Sequence, residues 1–249
     1  MNHEDELYTL SMAAPFPPPT LMYRVSGLTS AHDFAGHGRD LFSALSKASP
    51  KSLLDFQTIL DFGIGSGRLA RMFKDFRGVY YGADVDHELL DWAASALPWV
   101  TAMATTPREP LPCASGQFDC VISISVYSHM NEQDANFYLH ELHRVTSQGA
   151  FLFLTIHGQR ALDRALTESS ILKMLAIPQD SVRLSVAKLA STGFSFVQQG
   201  YLTSDTYDYG MTFISENYVR TRWSELFFVE NIALGGIHDF QDIVVLRRP

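Results

Sequence analysis

Short apolar runs, separated by polar or helix-patterned stretches, recur along nearly the whole chain. Runs at about residues 58–62, 78–83, 99–103, 118–124, 150–156, 194–201 and 240–247 predict seven strands, with helical spacing of apolar positions between most of them. Phe151-Leu152-Phe153-Leu154-Thr155-Ile156 is apolar on consecutive positions, as a strand covered on both faces must be. Alternation of strand and helix predicts an α/β chain with a parallel sheet between helical layers. Residues 32–48 have helical spacing and predict a helix before the first strand. Residues 216–226 place Tyr218, Val219, Trp223 and Leu226 on one helical face, best used for core packing. Pro15, Pro17, Pro18 and Pro19 forbid a helix interior, so residues 1–30 predict an extended arm acting as a lid or strap.

The first two runs end in chemistry. Ile59-Leu60-Asp61 leads into Phe62-Gly63-Ile64-Gly65-Ser66-Gly67-Arg68, and Val79-Tyr80-Tyr81-Gly82-Ala83 ends in Asp84. Glycines after a strand let the backbone turn tightly and let a ligand approach, and an acid ending the next strand can accept both ribose hydroxyls. A nucleoside cofactor is therefore expected. The dinucleotide fingerprint spaces its glycines GxGxxG; here the spacing is GxGxG, with Arg68 where the last glycine would stand, which weakens a pyrophosphate reading. Asp61 would repel phosphates and attract a cationic aminoacyl group. Both features fit S-adenosylmethionine.

Asp61 through Gly67 resembles the first motif of the class I S-adenosylmethionine-dependent methyltransferases, and Gly82-Ala83-Asp84-Val85-Asp86 resembles the second. Leu111 through Ile122, with Phe118-Asp119, is similar to the run entering that family's fourth strand. Leu139 through Ala150, with Glu141, Arg144 and Gly149, is similar to the helix and turn before the fifth. Four motifs in order span roughly residues 53–158. The resemblance implies a Rossmann-like, doubly wound, seven-stranded, mostly parallel sheet with an antiparallel last strand. It also implies an N-terminal helical lid (residues 1–52) on a methyltransferase domain (residues 53–249), with an insertion between strands six and seven. Asp61, Gly63, Gly65 and Gly67 would hold the aminoacyl end and Asp84 the ribose, with Phe62, Arg68, Val85 and Ser125 also among the cofactor-binding residues. The family's adenine-binding acid or amide at the end of strand three is replaced by Thr105 and Thr106, whose hydroxyls or a backbone carbonyl would have to serve. Three stretches together resemble a bacterial group of stand-alone small-molecule methyltransferases linked to glycan or secondary-metabolite modification: Pro17-Pro18-Pro19, Ser125-Val126-Tyr127-Ser128-His129-Met130, and Tyr209-Gly210-Met211-Thr212-Phe213.

Composition narrows the acceptor. A net charge of −8, with no Lys/Arg cluster beyond Arg247-Arg248, argues against nucleic acid, as does the absence of Asn/Asp-Pro-Pro-Tyr after strand four. There is no run of eighteen apolar residues, and the start Asn2-His3-Glu4-Asp5-Glu6 is acidic, so neither a membrane span nor a signal peptide is expected and a cytoplasmic location is. Cys113 and Cys120 form no metal-spacing cluster and read as buried thiols. The stretch from Ser123 to Met130 carries no acids, so no metal is expected.

Methyl transfer to an alcohol needs a base, whereas an amine needs only to be neutral. His129 after strand four, His157 ending strand five and His238 before strand seven lie at the carboxyl edge of the sheet, where an open α/β fold binds its ligand. His157 is the first choice, because a strand terminus holds a group more rigidly than a loop. Tyr127, Tyr209 and Phe213 are candidate walls of the acceptor pocket, able to face a cation with their rings. The expected activity is methyl transfer to a hydroxyl or amine of a small molecule such as a sugar or secondary-metabolite intermediate. A nicotinamide dehydrogenase and a non-catalytic protein on the same scaffold are the alternatives.

Overall fold

The computed structural model describes residues 3–200 and 207–249, so the last residue of the predicted 194–201 strand falls outside the described residues. The N-terminal elements are α1 (His3–Met12), α2 (Pro19–Ser26) and α3 (Ala31–Ala48). Strands β1 (Thr58–Phe62) and β2 (Val79–Asp84) follow, then α4 (His87–Ala96), β3 (Val100–Ala104), β4 (Phe118–Ser123), α5 (Glu132–Val145) and β5 (Thr146–Ile156). Helices α6 (Gln159–Thr167), α7 (Ser169–Leu175) and α8 (Gln179–Thr192) lead into β6 (Phe194–Gln198), β7 (Gly210–Ile214) and α9 (Glu216–Arg222). The chain closes with β8 (Phe228–Ile237) and β9 (Gln241–Arg247).

The main sheet has seven strands in the order β3-β2-β1-β4-β5-β9-β8. Strands β1 to β5 pair in parallel, and β9 runs antiparallel to both its neighbours. The sheet is the expected mostly parallel one with an antiparallel last strand. Its faces are read directly from residue alternation. Ile59, Cys120, Ile122, Phe153, Ile243 and Val245 join the core under α3 and α4. Leu60, Val121, Leu152, Leu154, Val244 and Leu246 join the core under α5 and α9.

Two expectations move. The sixth strand of the sheet is β8, which the apolar pattern does not predict because this edge strand is largely exposed and carries Glu230, Asn231, Gly235 and Gly236. The run at 194–198 is a strand, but it pairs with β7 in a separate two-stranded sheet packed by α8. The insertion therefore lies between the fifth and sixth strands of the sheet. The second difference is the N-terminal arm, which is two helices instead of an extended strap. Pro19 occupies the first turn of α2, where a missing N–H and a fixed φ cost nothing, and α2 stops at Gly27 with φ 69°. The prolines thus delimit helices. Arg71 fixes the linker between them: its guanidinium donates to the carbonyls of Ser11 (3.0 Å), Ala14 (2.5 Å) and Pro15 (2.6 Å) and lies over the Phe16 ring.

The sequence motifs away from the glycines are structural joints. Asp119 accepts from the backbone N–H of Gln57 (2.9 Å) and Thr58 (2.8 Å), tying β4 to the start of β1. Glu141 accepts from the Leu111 N–H (2.9 Å), while Arg144 donates to the carbonyls of Leu111 (2.9 Å) and Cys113 (3.0 Å), fastening the loop before β4 to α5. Cys120 is buried and Cys113 half-buried, and both are unpaired thiols.

Candidate active site

A cavity of about 300 Å³ opens at the carboxyl ends of β1, β2 and β4, within the range of small-molecule sites. Asp61, Phe62, Gly63, Gly65, Arg68, Asp84, Val85, Thr105, Ser125, His129 and Tyr209 all line it. Gly63 and Gly65 take φ 88° and 56° in the turn leaving β1, a conformation that side chains resist. A Cβ on Gly63 would meet Val126 Cγ2 at 2.3 Å, and one on Gly65 would meet Val25 of α2 at 2.7 Å. The glycines thus let the turn, α2 and the loop after β4 converge on one small volume. Gly67 packs behind it against Leu97.

Electrostatics differ between the two acids. Asp61 is buried, with the Tyr80 hydroxyl donating to it at 2.8 Å. Burial, reinforced by Asp84, pushes its carboxyl up to about 7, with Tyr80 and Arg68 acting in the opposite sense. Asp84 accepts from the N–H of Gly65 (2.7 Å) and of Asp86 (2.9 Å), which orient its carboxylate; burial raises its pKa. Arg68 is buried beside them and burial draws its guanidinium down to about 10. One Nη donates to His37 Nδ1 at 2.9 Å, whereas Nε is buried with no hydrogen-bond partner among the described residues. Because Arg68 can only donate, His37 is the neutral acceptor, and burial followed by repulsion from Arg68 holds it near 3. An under-compensated acid, a cation with an unused donor and a glycine cradle fit an aminoacyl group carrying ammonium and carboxylate. These residues would hold S-adenosylmethionine, which supplies an electrophilic methyl group on a sulfonium.

The three histidines have different environments. His129 is on the cavity wall: its Nδ1–H donates to the Gly210 carbonyl at 2.8 Å, and its ring stacks on Tyr209 with centroids 4.7 Å apart and planes 13° apart. A carbonyl only accepts, so Nδ1 carries the proton and Nε2 keeps its lone pair. Burial lowers the His129 pKa, partly offset by the Gly210 carbonyl. His157, the first choice, is buried behind the cavity wall between Phe213 and Phe240, its Nε2 accepting from Gln241 at 3.2 Å. Burial and His129 hold it near 3. The same strand rigidity that recommended it has placed it inside the core. His238 sits exposed on the β8–β9 turn at φ 52°, facing Asp40 at 3.1 Å and outside the cavity lining.

Of the three candidate wall aromatics, Tyr209 alone lines the cavity. Tyr127 is fully buried against Trp223, and Phe213 points from β7 into the helical cluster of the insertion. Thr106 is likewise outside the lining, though its carbonyl accepts from the Tyr138 hydroxyl at 3.4 Å. The loop holding Ser125 and His129 is clamped: Thr212 N–H donates to Ser128 and Gly210 N–H to His129. Ser125 N–H donates to the Thr155 hydroxyl at 2.7 Å with Ser125 at φ 60°. Sequence reasoning did not single out Arg24, Val25, Arg108 and Tyr138, which line the cavity together with Asp134, Tyr207 and Asp208. No local motif marks them, because they come from α2, α5 and two loops that meet only in the fold. Arg24 of α2 spans the mouth to Asp86 (2.9 Å) and Glu88 (2.8 Å).

Residues 60–154 match the model of the methyltransferase domain family. No curated protein matches the chain by sequence. Among solved structures, a protein of Pyrococcus horikoshii OT3 superposes with a TM-score of 0.61 at 16% identity, covering 87% of this chain and 92% of its own. An S-adenosylmethionine dependent methyltransferase from Mesorhizobium loti gives 0.55 at 13% identity, covering 84% and 98%. A protein of Methanosarcina mazei, from the S-adenosylmethionine-dependent methyltransferases, gives 0.53 at 14% identity, covering 77% and 92%. At such identities the likeness establishes a shared fold.

Proposed function

The chain is a class I S-adenosylmethionine-dependent methyltransferase, and from this premise we propose that it methylates a hydroxyl group of a small molecule with His129 as general base. The carrying observation is the fixed tautomer of His129: with Nδ1–H committed to the Gly210 carbonyl, Nε2 is the ring nitrogen left to take a proton. Burial keeps the imidazole neutral, ready to accept. Nε2 would take the proton of the acceptor hydroxyl as that oxygen becomes the nucleophile, and the cofactor, when bound, would supply the methyl group and leave as its thioether. The new imidazolium is supported by the Gly210 carbonyl and by the face of Tyr209, a cation–π contact worth about 0.5–2 kcal/mol. Positioning supplies much of the rest, on the order of 7 kcal/mol or more in favourable cases. A small acceptor fits a cavity roofed by α2 and residues 207–209, and the net charge of −8 disfavours nucleic acid. Sugars and secondary-metabolite alcohols are the acceptors this reading favours.

The test is release of S-adenosylhomocysteine from the purified protein with a panel of small alcohols and amines. His129→Ala should lower turnover on the alcohol by about 10² to 10⁴ with cofactor affinity intact, and higher pH should partly restore it. His157→Ala and His238→Ala should keep the pH profile of the native enzyme. A loss below threefold in His129→Ala, or turnover on amines alone, overturns base catalysis by His129.

A further inference from the structure

The third strand ends without the acid that would accept from an adenine amino group, yet an acid does stand at that end of the cavity. Thr105, Pro107, Arg108, Asp134 and Tyr138 form the wall there. Asp134, in the first turn of α5, is 5% exposed and lines the cavity. Arg108 holds it from the loop after β3: Nε donates to Oδ1 at 2.7 Å and Nη2 to Oδ2 at 3.0 Å. The Arg108 backbone sits at φ 62° with its N–H donating to the Tyr138 hydroxyl at 3.1 Å, so the loop itself is fixed against α5. Asn131 Nδ2 donates to Oδ2 at 3.0 Å, and the Asp134 N–H returns to Asn131 Oδ1 at 2.8 Å.

The two oxygens of the Asp134 carboxylate are unequally used. A carboxylate offers about two lone-pair positions on each oxygen. Among the described residues, Oδ2 has two donors, from Arg108 and Asn131, whereas Oδ1 has one. Asp134 lines the cavity, and a buried, oriented carboxylate with an acceptor position that no described residue fills matches an amino group on a planar base. Asp208, the other acid nearby, is a poorer match: it is half exposed, 3.6 Å from Arg108 and 3.4 Å from Asn131.

We propose that Asp134, held by Arg108, accepts a hydrogen bond from the adenine amino group of S-adenosylmethionine, replacing the missing acid at the end of β3. The proposal rests on the reading of the cavity as the cofactor site. It explains why Thr105 is tolerated there: the acceptor comes from α5, about thirty residues later in the chain, and the loop between is long enough to carry Arg108 across to it.

The experiment compares S-adenosylhomocysteine with S-inosylhomocysteine, in which a carbonyl oxygen replaces the amino group, by calorimetry on the full chain. The native protein should bind the adenosyl ligand at least tenfold more tightly, since a carbonyl facing Oδ1 is repelled. Asp134→Asn, whose amide can donate to that carbonyl, should lower the preference at least tenfold by weakening the adenosyl ligand and tightening the inosyl one. Asp208→Asn should leave the preference unchanged. Equal loss of both ligands in Asp134→Asn, no change in either, or a shift produced by Asp208→Asn would overturn the proposal. If Asp134→Asn does not fold, the native ratio decides: equal affinities refute the role of Asp134. Failure of the native protein to bind either ligand would instead refute the cofactor reading beneath it.

Discussion

Asp61 shows how much one position can carry. Burial, reinforced by Asp84 and partly offset by Tyr80 and Arg68, holds its folded-state pKa near 7, above the unfolded value of 3.8. Because the folded pKa is the higher one, the folded chain holds an extra proton between those values. The stability associated with this group is present at low pH, is lost as pH rises from about 4 to 7, and changes no further above that. The span corresponds to a cost on the order of 4 kcal/mol at neutral pH in the absence of ligand. Cofactor binding should recover part of it by placing an ammonium against the ionised carboxylate. Asp61→Asn should therefore be more stable than the native protein in unfolding melts at pH 8, with the difference shrinking toward pH 4. It should also bind S-adenosylmethionine at least tenfold more weakly. Equal melting curves across this range would show that Arg68 and Tyr80 already compensate the charge. Asp61, Gly63, Gly65, Asp84 and Arg68 were legible in the sequence because strand, turn and acid are adjacent along the chain. The role proposed for Asp134 was not, because nothing near it in sequence distinguishes a buried acid on a helix's first turn from a solvated one.

At the scale of elements, the N-terminal helices close the site from one side. Val25 of α2 packs against Gly65, Arg24 bridges to Asp86 and Glu88, and the linker before α2 is held by Arg71 from behind the glycine turn. Arg71→Ala removes three charge-assisted hydrogen bonds and a stacking contact with Phe16 from a buried position. Denaturant melts should show a loss of roughly 2–4 kcal/mol, and calorimetry should show weaker cofactor binding because α2 is no longer seated. Unchanged affinity in a destabilised variant would mean that α2 docks without its linker. The prolines announced a special segment, but proline permits either an extended arm or a helix start. Packing of α1 on α3 decides between them.

Across the whole molecule, the cofactor acts as a piece of the core that arrives late. A ligand binding only the folded chain at a hundred times its Kd adds about 2.7 kcal/mol, which for a chain of this size raises Tm by about 5–11 °C. S-adenosylhomocysteine should do this in differential scanning fluorimetry, and NAD at the same concentration should not; the reverse ranking would favour the dehydrogenase reading. The sequence by itself determined the parallel strands β1 to β5, the antiparallel last strand, the glycine turn and the acid that ends β2. Each is a pattern of neighbours, set by side-chain alternation, backbone freedom or a strand end. Tertiary structure decided the rest. It made β8 the sheet's edge in place of the 194–198 run, since a half-exposed edge strand needs no continuous apolar pattern. It put His157 in the core and His129 on the cavity wall, although both follow parallel strands. It brought Arg108, Asp134, Arg24 and Tyr209 to one cavity from four separate stretches, a convergence that no local periodicity encodes because it depends on where helices and loops pack.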